Sequence, residues 1–91
     1  MQSIYKYELA IADGKQVIRM PRLSMVLHAD MRRGKLYLWA LVDTGDVPQV
    51  FRTFKVYGTG EEILYYIGNM IHVSTVLTPD DLVWHVFEIL E

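Results

Sequence analysis

The sequence predicts an all-β domain, on two observations. Apolar and polar residues alternate with a period of two in short segments, the pattern of strands with one buried face. Turn-forming residues separate those segments at short intervals, which suits a small antiparallel meander of about seven strands, closed as a barrel or folded as a sandwich. With 91 residues, 52% hydrophobic and 22% charged, residues 1–91 are read as a single β-domain with a real core.

The first strand is expected from Ile4 to Ala10, with Tyr5, Tyr7 and Leu9 on one face and Lys6 and Glu8 on the other. Asp13-Gly14 then reads as a two-residue hairpin turn, because Gly accepts positive φ and Asp tolerates it. Gln16 to Met20 returns and stops at Pro21, which has no N–H to give to a ladder. In Ser24 to Met31, the residues Met25, Leu27, Ala29 and Met31 face one way and Val26, His28 and Asp30 the other. After the "RRGK" turn, Lys35 to Asp43 is apolar on both faces, as for a central strand covered on both sides.

"DTGDVPQ" leads into a strand from Val50 to Tyr57, which breaks at Gly58-Thr59-Gly60. Glu61 to Asn69 reads as a short helical turn closed by Gly68-Asn69. Ile71 to Leu77, rich in β-branched residues, and Leu82 to Ile89 finish the chain across the "TPDD" turn. The competing class is α+β, with Glu61 to Asn69 as the one helix.

A formal net charge of -2 and a pI near 5.9 argue against general binding of nucleic-acid backbone, which asks for a basic domain. The segments "RMPR" and "MRRGK" nevertheless concentrate basic residues densely enough to handle one small anion. Cysteine is absent, so apolar packing must replace disulfides and thiolate metal sites. The apolar run "LYLWALV" is far short of the roughly 20 residues of a membrane span. The opening "MQSIYKYELA" lacks the basic start and apolar stretch of a signal peptide. The expectation is a cytoplasmic protein that does not engage membranes.

The stretch "RTFKVYGTGEEI" carries the strongest hint of a site. Successive N–H groups at a glycine turn can cradle an anion, and Arg52 and Lys55 precede that turn. Gly58, Thr59, Gly60, Arg52 and Lys55 are therefore the candidate anion-binding residues, with Trp39 as an aromatic platform. Competing readings are a purely structural turn and, for Arg52, an ion pair with a carboxylate such as Asp43. His28, His72 and His85 fall on separate strands without metal-site spacing, and Ser3, Ser24 and Ser74 lack a nucleophile elbow. No metal, cofactor or catalytic residue is expected, and the chain is read as a non-enzyme. The aromatic surface of Tyr37, Trp39 and Leu41 suggests burial by a second copy, hence a homo-oligomer.

"IYKYEL", "LWALVD", "RTFKVYGTG", "YIG" and "VWHVFE", in this order over nearly the whole chain, resemble a family of small uncharacterised proteins of tailed bacteriophages and prophages. Where such relatives carry a proline-rich polar segment after Gly-Thr-Gly, this chain has "EEILYYIGNM". The resemblance implies a phage accessory protein in the host bacterial cytoplasm, engaged in counter-defence by sequestering a nucleotide-type signal. The alternative is a protein-binding module that covers a host defence protein or assists phage assembly.

Overall fold

The computed structural model describes residues 1–90, which fold as two antiparallel sheets packed face to face. The strands are β1 (Gln2–Leu9), β2 (Gln16–Pro21), β3 (Met25–Arg32), β4 (Lys35–Asp43), β5 (Gln49–Gly58), β6 (Met70–Leu77) and β7 (Val83–Ile89). One sheet has the order β1-β4-β3 and the other β2-β5-β7-β6. The all-β class and the seven strands stand as the alternation predicts.

Their order is less simple than a meander. Among chain neighbours, only β3–β4 and β6–β7 pair as hairpins. Gly14 does take a φ of 90°, but the chain at Asp13-Gly14 passes from one sheet to the other. Gln16 shows how: its side-chain amide donates to the Ala10 carbonyl at 2.6 Å and accepts the Ala10 N–H at 2.7 Å. A side chain thus closes the turn where a hairpin would use its own backbone.

Two bulges set which side chains face inward. In β3 the register shifts between Val26 and His28, leaving Leu27 unpaired, so Val26 stands opposite Ala40 and Met25 opposite Leu41. The expected face of Met25, Leu27, Ala29 and Met31 is thereby split, because an extra residue reverses the alternation. β6 shifts likewise between His72 and Ser74. These two edges lie together: the Ala29 N–H donates to Ser74 Oγ at 2.8 Å, and Ser74 Oγ is 3.0 Å from His28 Nδ1. The sandwich is pinned on that side and open on the side of β1 and β2.

Leu9, Met20, Ala29, Leu36, Leu38, Phe54, Val56, Val76 and Val86 form the core between the sheets. β4 is central, but only one of its faces is covered. Leu36, Leu38, Ala40 and Val42 are buried, whereas Tyr37, Trp39 and Leu41 on the reverse are half-buried. The expected helix after Gly60 is a single 3-10 turn, Ile67–Asn69. Ile63, Tyr65 and Ile67 alternate with a period of two and stand about Met70 and Phe87, on the outer face of the four-stranded sheet. From Ile63 to Ile67 only Tyr65 is half-buried; Ile63, Leu64, Tyr66 and Ile67 are exposed.

Candidate functional site

β5 carries the residues of the "RTFKVYGTGEEI" stretch, and strand alternation sends them to different places. Arg52 points between the sheets on the face of Phe54 and Val56. Its Nε donates to Glu88 Oε2 at 2.7 Å and its Nη2 to Glu88 Oε1 at 2.8 Å, a bidentate pair. Nη1 donates to the Ser24 carbonyl at 2.5 Å. The Arg52 side chain is 22% exposed and that of Glu88 9%. The hydrogen bonds and charge of Glu88 hold the guanidinium pKa above its usual value, against the burial that would lower it. Arg52 is a structural cation, and its partner is Glu88 rather than Asp43.

Lys55 is on the opposite face of the same sheet, with Nζ 4.6 Å from the Tyr57 ring centre and 3.9 Å from Glu61 Oε2. Glu61 Oε1 also accepts the Gly58 N–H at 3.1 Å, while the Glu61 N–H donates to the Gly58 carbonyl at 3.1 Å. The Thr59 N–H is directed at the Val83 carbonyl at 3.4 Å. The glycine turn thus has one N–H, that of Gly58, taken by the chain's own Glu61, and that of Thr59 by Val83. Its glycines have local reasons as well. A Cβ on Gly58 would meet the Trp84 ring at 3.2 Å, and Gly60 has a φ of 88°.

Thr59 Oγ1 lies 2.7 Å from His85 Nε2, and His85 Nδ1 lies 3.1 Å from Thr75 Oγ1, which is 3.0 Å from His72 Nε2. The three histidines therefore do not converge: two share this hydroxyl chain and His28 contacts Ser74. Among the described residues, no cluster of three or more His, Cys, Asp or Glu could hold a metal ion.

Trp39 stands apart from all of these, on the outer face of the three-stranded sheet. Around it the fold assembles a group that spans three strands. Tyr37 and Trp39 are alternate residues of β4, with ring centres 6.2 Å apart. Lys6 of β1, opposite Trp39 in the register, places Nζ 4.5 Å from the Tyr37 centre. Arg32 at the end of β3 sets its guanidinium 5.7 Å from the Trp39 centre. Arg33 and Gly34, with φ of 52° and 79°, form the two-residue turn between Arg32 and Lys35, the left-handed pair that tight hairpins require.

Lys6, Arg32, Arg33, Tyr37 and Trp39 line an open hollow of about 410 Å³, a size within the roughly 300–1,000 Å³ of small-molecule sites. The nearby carboxylates flank it. Asp30 accepts the Met31 N–H at 2.8 Å and pairs with Arg32 at 3.0 Å, and Glu8 lies 3.8 Å from Lys35. The Met31 N–H above all holds the Asp30 carboxyl below its usual pKa, against the opposing effect of burial and with help from Arg32 and His28. Partly exposed rings with cations over them can stack a planar group and hold an anion beside it.

Of the sequence-predicted residues, Lys55 and Gly58 meet through Glu61, Thr59 and Gly60 complete the same turn, Arg52 is inside, and Trp39 is on the other sheet. Sequence reasoning joined Tyr37 to Trp39 as one aromatic surface but missed Lys6, Arg32 and Arg33 as their companions. The basic "MRRGK" turn leading into "LYLW" was a signal for the β3–β4 part. Lys6 joins only through the pairing of β1 with β4. Residues 1–91 match the family model described as Domain of unknown function (DUF7352), and the chain belongs to that family. No curated protein and no solved structure matches it.

Proposed function

We propose that this protein acts by binding a small anionic ligand that carries a planar ring, a nucleotide being the class that combines both features. One observation carries the reading: Tyr37 and Trp39 lie side by side on an open sheet face, with Lys6 and Arg32 over their rings and Arg33 at the rim. A base would stack on an aromatic face, and phosphate would take the guanidinium forks. The reading assigns no catalytic step. In the phage setting implied by the sequence resemblance, such capture would withdraw a nucleotide signal from host defence.

Titration with linear and cyclic mono- and dinucleotides, followed by tryptophan fluorescence and thermal unfolding, tests this. Saturable quenching that disappears in Trp39→Phe is the expected result. A true ligand at a hundredfold its Kd raises stability by about 2.7 kcal/mol. No shift with any nucleotide at millimolar excess removes the proposal.

A second reading, a protein-binding surface, rests on a different place. Leu23, in the turn between β2 and β3, has a φ of 63° and is 87% exposed. It borders an open hollow of about 520 Å³ shared with Met25, Leu41, Val47 and Pro48. An apolar side chain held out by a strained turn suits an anchor for a protein partner. Leu23→Asp would abolish capture of such a partner and leave nucleotide binding intact.

A further inference from the structure

Each sheet of the sandwich has two edges, and three of the four edges show features that discourage pairing with another chain. β3 and β6 each carry a bulge and lie against one another through Ser74 and Ala29. β2 ends in Pro21 and sets Arg19 on its outer face. Bulges, prolines and charges are the devices by which edge strands avoid partners. β1 differs. It runs from Gln2 to Leu9 with no proline, and its register with β4 is unbroken. Its unpaired edge lies on the open side of the sandwich, flanked by Ile4 at 58% exposure and Tyr5 at 45%.

The charges of β1 discriminate among registers. Two identical strands can pair antiparallel in one continuous sheet only about a two-fold axis normal to it, so each register is named by the residue that meets itself. An axis at Lys6 sets Lys6 against Lys6. An axis at Tyr5 sets Lys6 against Ile4. An axis at Tyr7 sets Lys6 of each copy opposite Glu8 of the other, twice, with Tyr5 opposite Leu9 on the inner face.

We propose that a second copy of this chain pairs along the free edge of β1 in the Tyr7-centred register, joining two three-stranded sheets into a six-stranded one. The ladder covers Tyr5 to Leu9. It ends where Gln16 already occupies the N–H and carbonyl of Ala10. The two Lys6–Glu8 contacts are self-complementary, so the charges that would repel an arbitrary strand select another copy of this one. Lys6 belongs both to the seam and to the hollow, whereas Arg32, Arg33 and Trp39 lie away from the seam, so the pairing is tested without ligand.

Sedimentation velocity on the nucleotide-free chain, from micromolar to millimolar concentration, tests the proposal. The wild-type chain is expected to shift from monomer to dimer. Glu8→Lys sets like charges opposite each other twice and should weaken the dimer roughly tenfold or more. The swap Lys6→Glu with Glu8→Lys should restore it. A wild-type chain that stays monomeric, a Glu8→Lys chain that dimerises as well as wild type, or a folded swap variant that stays monomeric overturns the interface. Should Glu8→Lys fail to fold, hydrogen exchange of the native chain decides. The edge-facing amides of β1 should slow as concentration rises, and concentration-independent exchange overturns the proposal.

Discussion

Arg52 and Arg32 show what the same side chain does in two settings. Arg52 lies between the sheets with three of its five N–H groups donated to both oxygens of Glu88 and to the Ser24 carbonyl. Arg32 stands at a hairpin with one carboxylate beside it, and its guanidinium lies 5.7 Å from the Trp39 ring centre. A cation taken out of water has to be neutralised inside, and Glu88 already supplies the charge that an anionic ligand would bring. A cation at the surface keeps its hydration and its spare donors. Sharing a strand with a glycine turn does not make an arginine a binding residue; what matters is which side of the sheet it faces.

The largest expected effect comes from breaking the interior pair. Glu88→Gln leaves the Arg52 guanidinium half-enclosed with no opposite charge, which should cost about 3 kcal/mol. For a chain of this size, that lowers Tm by roughly 15 °C. Replacing both residues, Arg52→Met with Glu88→Leu, should recover most of the loss, because the unpaired charge rather than the missing bond carries the cost. Thermal unfolding of the single and double variants measures both. If Glu88→Gln melts with wild type, the contrast between the two arginines fails and Arg52 is again a candidate anchor.

The fold was largely legible because its signal is local. Turn residues and alternation mark each strand to within two residues of where it runs. Two things were not local. The bulges at Leu27 and Val73 reverse the alternation without a glycine or proline to announce them. Pairing order was equally hidden: Asp13-Gly14 has hairpin chemistry, and only Gln16 reaching back to Ala10 shows that the chain changes sheets there. The same gap explains the candidate site. Trp39 was recognised as a ring available for stacking, and "MRRGK" as an anion handler, but Lys6 reaches them only because β1 pairs with β4. At Gly-Thr-Gly the sequence sets Glu61 and Glu62 where an outside anion would bind, and in the fold Glu61 takes the Gly58 N–H.

Removing the platform sharpens the other side of the comparison. Trp39→Ala should weaken nucleotide binding by roughly tenfold or more, in line with the 1–3 kcal/mol that base–aromatic stacking contributes. Calorimetric titration reads that loss directly. Phe51, 71% exposed on the four-stranded sheet, is the control: Phe51→Ala removes an exposed ring without touching the hollow. Equal losses in the two variants would mean that any exposed ring serves, and the cations around Trp39 would have no special part.

The smallest effect belongs to the surface pair. Asp30→Asn removes the carboxylate that accepts the Met31 N–H and holds Arg32, but the side chain is 38% exposed, so solvent screens the interaction to about 0.5 kcal/mol or less near neutral pH. The sign of its pH dependence is fixed. The folded-state pKa of Asp30 is lowered from 3.8, so the stability it contributes is present above the unfolded-state value and disappears as pH falls through the folded one. Stability curves of wild type and Asp30→Asn should therefore be separated above about pH 4 and converge in more acidic solution. In the same variant, Arg32 loses its counter-charge and should hold a phosphate more firmly. A variant that loses stability as heavily as Glu88→Gln, or that binds nucleotide less well, would show Arg32 to depend on its carboxylate much as Arg52 does.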